Sequence, residues 1–179
     1  MTRTIYYTAT SLDGFIADDE DSLAWLFVQD QDQAGPLNYE QFRAGLGAGC
    51  MGSTTYEWIL EHEKGNWSYT LPMWVFTHRE LPPNEGVTFV RDDVPAVHQQ
   101  MAAAAGGKDI WVVGGGDLAG QFADAGLLDE VITYVAPVTL GSGRPLLPRR
   151  LELRLEETQP NKAFITARFS VVGPGIWGT

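Results

Sequence analysis

Hydrophobic and polar positions fall into two rhythms that alternate along the chain. Short runs rich in β-branched and aromatic residues read as strands: Thr4 to Ala9, Met73 to Thr77, Val87 to Val90, Asp109 to Val113 and Glu130 to Val135. Between them, apolar residues three and four apart mark helices. Tyr39, Phe42 and Leu46 set that spacing in a helix or helix start from Asn38 to Leu46. Tyr56, Trp58, Ile59 and Leu60 lie on another, which Ser53 or Thr54 can cap. Val94 to Ala105 carries Pro95 in the tolerated first turn and an alanine run behind it, and a further helix runs from Asp117 to Gly126. A shorter one, capped by Ser22, carries Leu23, Trp25 and Leu26. Leu151 to Val172 reads as two strands around Pro160-Asn161-Lys162, a hairpin ending.

Strand-helix-strand alternation closing on a hairpin predicts an α/β fold. Its central sheet is mostly parallel, helices flank both faces, and the C-terminal hairpin is antiparallel. There is no repeat and no low-complexity segment, so residues 1–179 read as a single domain. In open α/β sheets, ligands sit beyond the carboxyl ends of the strands. Chemistry is therefore expected just after Ala9, Cys50, Thr77 and Val113.

Composition narrows the choice. The chain is 44% hydrophobic and 20% charged, within the globular range. At this length roughly 70% of the unfolded surface can be buried, so no disulfide or metal is needed to hold the fold. The single cysteine, Cys50, excludes an internal disulfide and a cysteine-based zinc site. His62, His78 and His98 contain no i, i+4 pair, and Asp13 with the acidic run Asp18 to Asp21 lacks the spacing of a calcium loop, so no metal site is expected. The net charge of -11 argues against nucleic acid, whose affinity comes largely from neutralised phosphates. No apolar run approaches the ~18 residues of a membrane span, and the N-terminus has no signal-peptide core. A soluble, cytoplasmic protein is expected.

Three strand ends suit an anionic ligand. Val112-Val-Gly-Gly-Gly-Asp117 runs a buried strand through three glycines into a helix, whose first N–H groups lack intrahelical partners and attract phosphate. A tight turn without a ligand explains the same residues, and the spacing departs from G-x-G-x-x-G because Gly120 falls one residue late. Thr77-His78-Arg79 offers a guanidinium that can grip a phosphate or simply lie in solvent. Met51-Gly-Ser-Thr-Thr55 offers hydroxyls and helix-start amides, or plain caps. Together they suit an elongated ligand with several phosphates. In the first turn, Asp13 is a proton donor, a substrate anchor or an Asx-turn residue. Trp25 is the tryptophan placed to line a pocket, and the other five read as core.

Ala9-Thr-Ser-Leu-Asp-Gly14, Gly52-Ser-Thr-Thr-Tyr56, Val75-Phe-Thr-His-Arg79, Val113-Gly-Gly-Gly-Asp117, Asp129-Glu130 and Ala136-Pro-Val-Thr-Leu-Gly-Ser-Gly-Arg-Pro145 follow in this order. The set resembles the dihydrofolate reductase-like superfamily. More closely, it resembles the reductase domain of bacterial bifunctional deaminase-reductases of riboflavin biosynthesis. The resemblance covers nearly the whole chain. It implies an NADPH-dependent reductase of a planar nitrogen heterocycle of pyrimidine or pterin type, like 5-amino-6-(5-phosphoribosylamino)uracil reductase or dihydrofolate reductase.

The resemblance also implies roles. Gly114, Gly115, Gly116 and Asp117 would face the cofactor pyrophosphate, with Gly52, Ser53 and Thr54 on its other side. Thr77, His78 and Arg79 would hold the adenosine 2′-phosphate. Asp13 would anchor the substrate and act in catalysis, with Asp21 and Glu20 as further proton sources and Trp25 beside the substrate. Riboflavin-type relatives form homodimers, so a homodimer is expected. Tyr7 stands where the riboflavin enzymes carry a Lys, and Ala24 stands before Trp25 where many relatives have an Asp. Those departures motivate the alternative of a non-catalytic NADPH-binding module with the same fold. The charge is expected to be polarised. Asp18 to Asp21 would lie over the substrate, while Arg79 and three helix starts would form a locally positive cleft.

Overall fold

A computed structural model describes residues 1–91 and 93–177. Its elements run β1 (Thr4–Thr10), β2 (Phe15–Ala17), α1 (Ala24–Phe27), α2 (Tyr39–Ala44), β3 (Leu46–Gly52), α3 (Ser53–His62), β4 (Met73–Phe76), β5 (Val87–Val90), α4 (Val94–Ala105), β6 (Asp109–Gly114), α5 (Gly116–Asp124), β7 (Glu130–Val135), β8 (Arg144–Pro145), β9 (Leu151–Asn161) and β10 (Phe164–Pro174). Eight strands form one sheet in the order β5-β4-β3-β6-β1-β7-β10-β9, and β2 pairs with β8 in a small second sheet. The run from β5 to β7 is parallel, and β10 and β9 close it antiparallel. This is the predicted architecture: a mostly parallel sheet, helices on both faces and a terminal hairpin.

Alternation along the central strands divides the core in two. Cys50, Ile110 and Val112 enter the cluster beneath α4 and α5 with Val97, Met101, Leu118 and Phe122. Met51, Met73 and Val75 face the other way and pack with Tyr56 and Ile59 of α3. Helix α4 forms as its sequence predicts: Asp93 accepts from the Ala96 amide, Pro95 occupies the first turn, and Gly106 ends the helix in the left-handed region.

Three local readings change. The α2 helix is six residues long and stops before Leu46, which pairs with Asp109 of β6 and is buried. Sheet pairing and burial override the three-and-four spacing there. Ser22 does not cap α1. The cap residue is Leu23, and the helix is a single turn. Neither Ser53 nor Thr54 caps α3, because Gly52 holds that position.

The loop from residue 139 to 146 crosses the front of the sheet. Two glycines let backbone meet backbone there. A Cβ on Gly116 would strike the carbonyl oxygens of Pro145 and Leu146, and one on Gly143 (φ 143°) would strike the Ala17 carbonyl. Gly116→Ala is therefore expected to lower stability by about 1–3 kcal/mol, the usual penalty for overpacking. Urea unfolding checks this, and an unchanged midpoint would show that the 145–146 backbone gives way freely.

Candidate active site

Chain direction creates the site. From β3 the chain leaves through α3 toward β4, and from β6 it leaves through α5 past β1 toward β7. The two strands are neighbours, but their crossovers run in opposite directions, so α3 and α5 take opposite faces. Such a switch point opens a crevice at the carboxyl ends. Both helices begin in that crevice, at Ser53 and Gly116, and present first-turn N–H groups without intrahelical partners.

The crevice is a cleft of about 760 Å³, lined on one side by Gly52, Ser53 and Thr54 and on the other by Gly114, Gly115, Gly116 and Asp117. An added Cβ at Gly115 would meet nothing nearer than Ile16 Cδ1 at 3.8 Å, so its missing side chain leaves open room in the cleft. A second hollow of about 420 Å³ is lined by Thr77, His78, Arg79 and Arg91. Ser53, Phe76 and Gln121 line both, so the two form one groove. All ten residues predicted to meet the cofactor therefore line this one groove.

Several charges in this groove are already paired. Arg79 makes a forked contact with Glu57 on α3, at 3.1 Å to Oε1 and 2.6 Å to Oε2, and both side chains are about half exposed. Pairs that exposed are weak. Thr77 Oγ1 accepts from the Arg79 amide at 2.9 Å and shapes that turn. Asp117 accepts from Gln121 at 3.0 Å and pairs with Arg149 at 3.1 Å, and these contacts hold its carboxyl below the ordinary range. The expected locally positive cleft is thus corrected: acids accompany both Arg79 and the glycine turn. Two helix starts, not three, face the groove, because the 77–79 segment is a bend.

The inner end of the cleft is aromatic, walled by Tyr7, Trp58, Tyr69 and Trp111 with Ile16 and Leu23. At its rim, Arg144 donates from Nε to Asp21 Oδ1 at 2.6 Å and from Nη2 to Oδ2 at 3.2 Å. Ser142 bonds Asp19 nearby. The small β2–β8 sheet places Arg144 opposite Ala17.

Asp21 therefore lines the cleft, but Asp13 and Trp25 do not. Asp13 accepts from Ser11 Oγ at 2.6 Å, from the Gly141 amide at 2.7 Å and from the Leu140 amide at 3.1 Å. It ties the first turn to the 139–146 loop. Ser11 and those amides hold its carboxyl below the ordinary range, so it stays ionised and is a poor proton source. The structure therefore gives Asp13 a bracing contact outside the cleft lining, where sequence reading expected a substrate anchor and catalytic acid. Trp25 packs with Tyr134 and Phe164 in a separate cluster, and its indole nitrogen is buried away from the cleft. Glu20 is an exposed loop residue outside the lining, its amide held by Asp18.

Sequence reasoning missed Trp58 and Trp111, which it assigned to the core, and Tyr69, Arg91 and Gln121, to which it gave no role. A strand-face signal existed for Trp111. It alternates with the buried Ile110 and Val112, and so faces the α3 side.

Asp13 yields a pH prediction. Its contribution is present above the unfolded carboxylate value of ~3.9 and is lost as pH falls through the lower folded value. The Leu140 and Gly141 amide resonances should therefore titrate together with a midpoint below ~3.9. A midpoint at or above that value would refute the brace.

Comparison with known proteins fits this architecture. Residues 3–164 match the family model described as the RibD C-terminal domain. Over 161 residues the chain is 32% identical to the uncharacterized protein YwjB of Bacillus subtilis (strain 168), covering 88% of this chain and 91% of that protein. A putative riboflavin biosynthesis protein from Shewanella sp. PV-4 is similar in structure, with a TM-score of 0.81 at 22% identity, over 95% of this chain and 99% of that one. RibD of Acinetobacter baumannii gives a TM-score of 0.72 at 19% identity over 96% of this chain, which spans 58% of that structure. These structural likenesses establish the dihydrofolate reductase-like fold. The family model extends over most of the sequence, and the chain belongs to the RibD C-terminal domain family.

Proposed function

We propose that the chain is an NADPH-dependent reductase of a planar nitrogen heterocycle, of the riboflavin-pathway type suggested by its family. The observation that carries this reading is the continuous groove. Two helix starts diverge between its aromatic end and a hollow with two arginines, and Ser53, Phe76 and Gln121 join the cleft to that hollow. Gly115 leaves open the space a pyrophosphate needs. When bound, NADPH supplies a hydride from its nicotinamide.

The chain's own residues position the reactants. The amides at the starts of α3 and α5 hold the pyrophosphate, and Thr77, His78 and Arg79, with Arg91 beside them, hold the adenosine phosphate. Arg79 exchanges Glu57 for that phosphate, a low-cost exchange because the exposed pair is weak. The aromatic wall orients the flat substrate and excludes water. Asp21 is the carboxyl at the substrate rim, where it holds Arg144 in place beside the substrate.

The non-catalytic reading keeps one observation in its favour. Tyr7 fills the position of a lysine in the riboflavin enzymes, and its hydroxyl is tied to the Leu37 carbonyl. NADPH binding without oxidation in the presence of any pyrimidine, pterin or flavin would select that reading. We also propose a homodimer, supported by the exposed Leu155, Ile165 and Val172 on the edge hairpin.

Arg79→Ala should weaken NADPH at least tenfold while leaving NADH nearly unchanged, read by fluorescence titration. Equal losses would remove Arg79 from the phosphate site. Light scattering should give a mass twice the 19.7 kDa of one chain, and a mass near one chain would overturn the dimer.

A further inference from the structure

Two polar groups of the aromatic end, on Tyr7 and Trp111, are spent inside its wall. Tyr7 stacks on Phe42 with ring centroids 4.3 Å apart and 12° between planes, and its hydroxyl donates to the Leu37 carbonyl at 3.0 Å. The Trp111 indole N–H is spent on the Tyr7 carbonyl at 3.2 Å. Trp58 stacks on His62 at 3.6 Å and 15°. Burial pushes the Tyr7 and Tyr69 hydroxyls up, so both rings stay neutral.

Among the described residues, the charged side chains lining the whole cleft are Asp21, Asp117 and Arg144. Asp117 belongs to the α5 end and is engaged by Arg149. At the aromatic end, Arg144 is the cation, and Asp21 takes it with two hydrogen bonds. A phosphate or carboxylate brought into this end would shed its water and find no unmatched cation in exchange, a net loss. A flat uncharged ring would shed little water and gain stacking against up to four aromatic side chains.

We propose that the aromatic end of the cleft takes an uncharged planar ring and rejects the same ring carrying a phosphate or carboxylate. The substrate would then lack both the phosphoribosyl group and the glutamate tail of the enzymes this chain resembles. This selectivity rests on reading the groove as a joined cofactor and substrate site. The Asp21–Arg144 pair is its gatekeeper, because it withholds the one cation that an anionic tail would use.

Isothermal titration with matched probes tests this: riboflavin against FMN, and 6-methylpterin against 6-carboxypterin. In each pair the neutral member should bind at least tenfold more tightly. Asp21→Asn exposes Arg144 and should tighten the charged member at least fivefold. Equal or tighter binding of the charged member by the unsubstituted protein overturns the proposal. So does failure of both members of both pairs to bind, and so does an Asp21→Asn variant with no gain for the charged probes. A parallel NADPH titration separates the two readings. Saturable NADPH binding without ring preference sinks only the selectivity, and ring preference without NADPH binding sinks only the cofactor reading.

Discussion

Close approach of backbone to backbone at the front of the sheet is the constraint on which the rest depends. Helix α5 can begin inside the crevice only because Gly116 lets the carbonyls of Pro145 and Leu146 lie against it. The same loop is held from its other end by Asp13, whose carboxylate gathers the Leu140 and Gly141 amides. Gly143 lets it pass over Ala17. These three contacts fix the strap that carries Arg144 to the rim. If any of them were lost, the cleft would keep its floor, set by β3 and β6, but lose its roof.

The charge pattern follows from that scaffold. A chain with a net charge of -11 has little positive potential to spend on an anionic ligand. Its candidate groove offers oriented dipoles and a few arginines, three of them beside acids. Arg79 has Glu57, Arg149 has Asp117 and Asp124, and Arg144 has Asp21. The Arg79–Glu57 pair is open on both sides and exchangeable, whereas Asp21 is the more covered acid beside Arg144 and keeps that cation engaged. At the start of α3 the fixed N–H groups have no acid in the first turn, while at the start of α5 Asp117 sits beside them, engaged by Arg149.

How much of this was legible in the sequence depended on the range of the interaction responsible. Strands and caps set by neighbours a few residues apart were readable. The Glu130 to Val135 strand and the Val94 to Ala105 helix have the bounds their residues predict. The ten groove residues were also readable, because each follows a strand end and strand ends of a parallel sheet share one edge. What depended on distant partners was not. Asp13 looked chemical because nothing near it in sequence shows that its ligands are the amides of residues 140 and 141. Leu46 kept a helical spacing while its burial against β6 decided for a strand. Tyr69 lies in a stretch with no periodicity, and only the fold brings it beside Trp111, with ring centroids 5.9 Å apart.

The replacement at Tyr7 links these threads. A lysine at that position on β1 would bring a cation into the aromatic end of the cleft. Tyr7 instead stacks on Phe42, and its carbonyl holds the Trp111 indole in place. One residue therefore removes a charge and sets two faces of the wall. The change at Tyr7 and the pairing of Arg144 by Asp21 act in the same direction, since both deny an anionic tail its counter-ion. Two independent features that agree make substrate charge, more than ring type, the property to which this cleft is tuned.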